Sequence, residues 1–251
     1  VASIHTCRIA LLVTIVSTFT SMLSGCATVG GGAPATTSVQ TLEYYPYQVK
    51  GYQNSYPRKT ILILMSADAR AGTGDSAPLN GNPAIGVITD QSGNITQRLY
   101  SPPLGPILQQ AIGRAADEAG LSASSSTDVA YKPGVKNTAE YVLESKIRRC
   151  WVKKYRGANG QYGPVWRTTA DLALDVSIYK PPFSVPFWTG SADETYYDPP
   201  VGSFGLGSED EAGIYDEPGQ VLSVALTRSV AAIFQRQDLR NLMLEDDIKS
   251  R

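Results

Sequence analysis

The stretch V-W-R-T-T-A-D-L-A-L-D-V-S-I-Y-K, Val165–Lys180, has the clearest periodicity in the chain. Trp166, Ala170, Leu172, Leu174, Val176 and Ile178 fall on one parity, and Arg167, Thr169, Asp171, Asp175 and Ser177 on the other. Side chains alternate faces along a β-strand, so a two-residue period means one covered face and one wet face. This strand needs a sheet around it. Upstream, T-A-E-Y-V-L-E-S-K-I-R-R-C-W-V-K-K-Y-R-G (residues 138–157) reads as a long strand whose pattern slips near Arg148-Arg149, as a bulge would make it. A-N-G-Q-Y-G-P turns the chain between the two, and V-P-F-W-T-G-S-A-D-E-T-Y-Y supplies a third antiparallel strand.

Further strands precede this meander. T-I-L-I-L-M-S (Thr60–Ser66) is a continuous apolar run, too short for a buried helix, and reads as a central strand covered on both faces. G-V-I-T-D-Q-S-G-N-I-T-Q-R-L-Y fits a hairpin about Ser92-Gly93. Two segments carry helical spacing. In the first, Ile107, Leu108, Ala111, Ile112, Ala115 and Ala119 share a face, with Pro106 in the opening turn and Gly120 at the stop. In the second, Leu222, Ala225, Leu226, Ser229, Val230 and Ile233 line one side; Asp216 is placed to cap it and Pro218 to open it. Leu239, Leu242 and Met243 then suggest a short extra turn. The expected fold is α+β, with two helices packed on one face of a four- to five-stranded mixed or antiparallel sheet.

The first 57 residues read differently. Arg8 is the sole formal charge before residue 43, and a 15-residue apolar run, Ile9–Leu23, follows it. A membrane-spanning helix needs about 20 apolar residues, whereas this layout is that of a secretory signal. Leu23-Ser24-Gly25-Cys26 resembles the lipobox of bacterial lipoproteins. That resemblance implies cleavage before Cys26 and diacylglycerol on its sulfur. Ala27, where an aspartate would retain many enteric lipoproteins at the inner membrane, favours the outer membrane. Residues 27–40 are small and uncharged, and a tyrosine-rich stretch with Tyr44, Tyr45, Tyr47, Tyr52 and Tyr56 follows, suited to packing along the domain surface or to contact with a partner or the membrane interface. The organisation expected is a lipoprotein signal peptide over 1–25, a lipidated Cys26 and flexible tether over 26–57, and one α+β periplasmic domain over 58–246.

Composition narrows the chemistry. The chain has 22 basic and 23 acidic side chains, so net charge lends nucleic-acid binding no support. Its one histidine, His5, and Cys7 lie in the expected signal peptide. The processed protein would lack histidine, which excludes Ser-His-Asp and Cys-His catalysis and histidine-containing metal sites. Cys150 is expected to be a buried, inert thiol. Gly72-Thr73-Gly74-Asp75 lacks the Lys-Ser/Thr ending of a phosphate loop and reads as plain loop. Asp171 and Asp175 sit on a strand's wet face, as solvated carboxylates do. No catalytic residue, metal site or cofactor is expected.

Charge is unevenly laid out. Between Lys146 and Arg167 stand seven bases and no acid: Lys146, Arg148, Arg149, Lys153, Lys154, Arg156 and Arg167. Between Asp193 and Glu217 stand eight acids and no base. Six of these bases, Lys146, Arg148, Arg149, Lys153, Lys154 and Arg156, are a candidate contact surface for lipid headgroups, glycan or a partner protein, or a match for the acidic loop. Phe183, Phe187 and Trp188 in P-P-F-S-V-P-F-W are a candidate apolar site for lipid or glycan.

Together, I-L-I-L-M-S, L-Q-Q-A-I-G-R-A-A-D-E-A-G-L, T-A-E-Y-V-L-E-S-K-I, R-T-T-A-D-L-A-L-D-V-S-I-Y-K and A-L-T-R-S-V-A-A-I-F-Q-R-Q-D-L-R-N-L-M resemble the ABC-transport-auxiliary and YajG-like envelope lipoproteins over residues 60–243. The resemblance implies a fold similar to the amino-terminal domain of TolB, no catalytic motif, and an adaptor role in envelope transport or assembly. The expected partners are the lipid bilayer, through acylated Cys26, and an envelope protein. The expected location is the periplasm-facing outer membrane.

Overall fold

A computed structural model describes residues 36–40, 54–70, 78–134, 138–160, 163–197 and 217–250. All belong to one contact unit, Pro34–Arg251. The signal-peptide and Cys26 readings, Tyr44, Tyr45, Tyr47, Tyr52, Gly72–Asp75 and the acidic stretch from Asp198 to Asp216 lie outside the described residues.

Nine strands and three helices follow in order: β1 (Thr36–Val39), β2 (Thr60–Ile63), β3 (Ala67–Asp68), β4 (Ala84–Thr89), β5 (Ile95–Tyr100), α1 (Leu104–Ala119), β6 (Ser122–Ser125), β7 (Tyr141–Gly160), β8 (Gly163–Tyr179), β9 (Pro186–Tyr197), α2 (Pro218–Phe234) and α3 (Gln237–Ser250). All nine strands form one mixed sheet built on β7. Along one edge β7 pairs in parallel with β2 at Tyr141–Leu143, β3 at Lys146-Ile147 and β4 at Val152–Tyr155. Its other edge pairs antiparallel with β8, and β8 with β9. β6 flanks β2 in parallel, while β5 and then β1 flank β4.

The α+β class stands, but four to five strands and two helices understate it. The additional strands β1, β3 and β6 read T-T-S-V, A-D and S-A-S-S. Such segments bury almost nothing, so no apolar alternation marks them; backbone pairing at a sheet margin makes them strands. The α3 segment is a full 14-residue helix reaching Ser250, past the expected boundary at residue 246. Only Leu239 and Met243 are fully buried in it, so the pattern fades early. Polar side chains hold the rest, as described below.

Within the stretch expected as a tether, 26–57, two places join the domain. Thr36–Val39 is strand β1, hydrogen-bonded to β5. Tyr56 is buried, its hydroxyl donating to the Phe234 carbonyl at 2.9 Å and its ring edge-on to Phe234. A tyrosine can fill a core position when its hydroxyl finds an acceptor there.

Helices α1 and α2 pack on one face of the sheet. Gly120 ends α1 in the left-handed region (φ 102°), and the Leu121 N–H returns to the Ala116 carbonyl. Glycine adopts this conformation without Cβ strain, which is why it stops the helix. The α2 helix is buried nearly all round rather than on one side, between sheet and α1. Pro218 opens it as expected; Glu217 stands at the N-cap position and makes no side-chain cap bond. Thr60–Ile63 carries Ile61 and Ile63 buried on the helix side, while Leu62 opposite is only half-buried, so one face is covered fully.

The bulge expected near Arg148-Arg149 is present: Ile147 faces Leu174, but Arg149 faces Ala173. One extra residue on β7 changes which parity points inward. Leu143 and Ile147 are buried before it, Cys150 and Val152 after it. Arg148 and Arg149 are both exposed.

Candidate functional site

The six expected contact bases fall into two groups. Lys146, Arg148 and Arg149 stand on the outer face of the meander and are matched. Lys146 reaches Glu144 at 3.4 Å and Arg148 reaches Asp175 at 2.8 Å. Arg149 pairs with Asp193 of β9 across β8. Register puts Arg149, Ala173 and Asp193 in one row, so this ion pair bridges over Ala173. Ala173 is accordingly 0% exposed on an otherwise wet face. Asp193 is the one residue of the acidic stretch seen to match the bases among the described residues. Asp171, the other strand carboxylate, accepts a hydrogen bond from Thr195 at 2.6 Å.

Lys153, Lys154 and Arg156 lie further along β7, where the sheet runs out. Among the described residues, Tyr155, opposite Thr89, is the last of β7 to pair with β4, and Thr169, opposite Tyr197, is the first of β8 to pair with β9. Beyond them, among the described residues, the rows Arg156–Trp166, Asn159–Pro164 and Gly160–Gly163 pair only with each other. The two strands therefore project as a ribbon, about 15 Å at the usual rise per residue. Lys154 Nζ lies 5.8 Å from the centroid of Trp166, and Lys153 Nζ lies 5.7 Å from that of Tyr155. Such cation–π geometry holds a charge over an apolar ring while leaving it wet. Trp166 is 41% exposed, and Tyr197, beside Thr169, is 66% exposed. Sequence parity assigned Trp166 to the covered face, but burial on that side of β8 extends only as far as Thr168. Among the described residues no carboxylate pairs with Lys153, Arg156 or Arg167. Arg167 shares a row with Tyr155.

The opposite end of the sheet is closed by α3. Asp246 accepts from the Tyr141 hydroxyl at 2.5 Å and pairs with Lys180. Lys59 sits between Glu140 (2.9 Å) and Asp247 (3.3 Å). Burial acts to raise the Asp246 carboxyl, but hydrogen bonds from Lys180 and Tyr141 outweigh it and hold the group below its ordinary value. Tyr141 is pushed up by burial and then by Asp246, so it stays a neutral donor. Sequence reading missed this network. Its members come from four separate segments, and no local pattern joins them.

The candidate apolar site is not assembled. Phe183 is 63% exposed, Phe187 packs its ring against Tyr141, and Trp188 is buried. Trp188 donates to Asp238 at 3.1 Å and lies over Gly190, where an added Cβ would come within 2.3 Å of the indole. Cys150 is buried in the wall of a small apolar cavity between α1, α2 and the sheet, near Leu108, Leu172 and Leu226. Burial pushes its thiol up to about 12, so it carries no thiolate at neutral pH. Among the described residues no three His, Cys, Asp or Glu side chains are grouped to hold a metal ion. No described helix is long and apolar enough to cross a membrane.

No protein-family model matches the chain. No curated protein matches it. Solved structures similar to it include a Xanthomonas campestris protein of the DUF330 family, at 14% identity over 86% of this chain and 100% of that one, with TM-score 0.41. Another is a Helicobacter pylori homologue of a neuraminyllactose-binding hemagglutinin, at 11% identity over 82% and 99%, with TM-score 0.39. A third is uncharacterized lipoprotein B of Nitrosomonas europaea, at 10% identity over 76% and 89%, with TM-score 0.31. Likenesses this loose assign neither a family nor a function.

Proposed function

We propose that the chain is a lipoprotein of the bacterial envelope, held to the periplasmic side of the outer membrane by acyl chains on Cys26. It serves there as a non-enzymatic accessory in transport or assembly, of the ABC-transport-auxiliary or YajG-like kind. The observation that carries this reading is the projecting ribbon. Lys153, Arg156 and Arg167 stand on it beside aromatic rings with no carboxylate partner among the described residues, while Arg148 and Arg149 nearby are paired. Unmatched charge on a projecting element serves encounter and orientation. The lipobox-like Leu23–Cys26 supplies the anchor. Each buried methylene contributes about 0.8 kcal/mol, so two or three acyl chains on one residue hold the protein firmly.

The test uses the full chain in a bacterial host. Cys26→Ala is expected to abolish acyl labelling and leave a soluble or uncleaved product. A substituted protein that is processed correctly and stays with membranes after an alkaline wash contradicts the anchor. Affinity purification in detergent is expected to return one stoichiometric envelope protein; its absence counts against the accessory role. The second reading, a lipid- or glycan-binding module on Phe183, Phe187 and Trp188, is less well supported. It would require Trp188 to leave its hydrogen bond to Asp238.

A further inference from the structure

We infer that the β7–β8 ribbon is a membrane-contact arm, which meets the anionic phospholipid headgroups of the bilayer that holds Cys26. This deepens the lipoprotein reading and rests on it. The argument comes from register. Thr36 of β1 faces Gln97 of β5, Gln97 faces Ile88 of β4, and Ile88 faces Lys154 of β7. The four residues form one row across the sheet, so Thr36 and Lys154 stand three strand spacings apart, about 15 Å.

Strand direction then decides on which side the chain arrives. β1 runs parallel to β5, β5 antiparallel to β4, and β4 parallel to β7. β7 therefore runs out of the sheet in the direction from which β1 comes in. Cys26 is ten residues before Thr36, a stretch that spans at most about 35 Å. From Lys154 to Gly160 the ribbon covers about 20 Å in the same direction. Chain length alone holds an acylated Cys26 within about 35 Å of Thr36, at the end of the sheet from which the ribbon projects.

The chemistry on that end suits a phospholipid surface. Lys153, Arg156 and Arg167 supply three positive charges, and each base near an anionic surface strengthens contact about fivefold. Trp166, Tyr155 and Tyr197 add rings with an apolar body and a polar edge, which settle at headgroup depth. The one described acid in the neighbouring β4–β5 turn, Asp90, is turned inward on its own loop: its carboxylate accepts from Asn94 and from the Ser92 backbone.

The full chain, purified from host membranes and reconstituted, tests this through its three tryptophans, Trp151, Trp166 and Trp188. Vesicles of phosphatidylcholine alone and of phosphatidylcholine with phosphatidylglycerol carry a headgroup-labelled quencher. The expected result is stronger quenching on the anionic vesicles, fading as salt rises. That increment is lost in Trp166→Phe and in Lys153→Glu/Arg156→Glu/Arg167→Glu. Equal quenching on both vesicles, or an increment that survives Trp166→Phe, overturns the arm. If the charge-reversed protein does not fold, the wild type and Trp166→Phe still decide. A ribbon that instead serves a protein partner gives no lipid dependence, which counts against this inference. Intact mass separates the two readings: an unmodified Cys26 defeats the anchor alone, because the arm is then read on protein added to preformed vesicles.

Discussion

The two ends of the sheet carry similar charged residues and use them in opposite ways. At the α3 end Lys59, Lys180, Glu140, Asp246 and Asp247 are interlocked, with the Tyr141 hydroxyl among them. At the ribbon end Lys153, Arg156 and Arg167 face water beside Trp166 and Tyr155. The first arrangement closes the fold. Ion pairs there sit partly out of solvent, where removing one partner strands the other. The second adds little to stability, because exposed charges are screened and mobile. A charge that stabilises nothing is free to serve contact. The difference teaches that basic composition alone does not mark a surface; the location of the carboxylates does.

That contrast can be broken at several strengths. The largest effect is expected from Gly190→Val at the α3 end. A side chain there meets the Trp188 indole at 2.3 Å, and displacing it also costs the bond to Asp238. About 3 kcal/mol of stability should go, read from denaturant midpoints. An unshifted midpoint would mean that the indole is not pinned. Next comes Asp246→Ala, which strands Lys180 and the Tyr141 hydroxyl and should cost about 2 kcal/mol in the same measurement.

Acid probes the same lock without mutation. The Asp246 carboxyl is lowered in the folded state, so its contribution is whole above the ordinary value of 3.8 and disappears as pH falls through the folded value. Near-ultraviolet dichroism of the aromatic residues should report α3 loosening below that pH, and Asp246→Asn should flatten the transition. A smaller effect, about 1 kcal/mol, is expected from Tyr56→Phe, which leaves the Phe234 carbonyl without its donor. The smallest belongs to the ribbon: Lys153→Glu/Arg156→Glu/Arg167→Glu should shift the midpoint by less than about 0.5 kcal/mol. A large loss from it would erase the distinction between the two ends.

Elements that bury an apolar face were legible in the sequence. The alternation in Val165–Lys180, the stop at Gly120 and the slip at Arg148-Arg149 all reappear in the fold. So does the hairpin about Ser92-Gly93, where Gly93 has φ 85° and Asp90 caps the turn amides. Segments held by backbone pairing or polar contact were not legible. β6 is S-A-S-S, and β1 resembles the tether around it. α3 keeps its last two turns through Asp246 and Asp247, whose partners are Lys180 and Lys59. Of the candidate site, the bases were legible as a run. Their division was not, because the acids that neutralise Arg148 and Arg149 arrive from β8 and β9.

By itself the sequence determined which segments alternate, which coil and where they stop, since those depend on neighbours within a few residues. It also determined the lipobox-like motif and the uneven spread of charge. Only the tertiary structure decided which charges are spent inside the fold and which project, and on which side the chain enters the sheet. Coulomb attraction and hydrogen bonding act over a few ångströms, and Arg149 meets Asp193 across 44 residues of chain. Strand register, one residue either way, sets whether such partners meet at all.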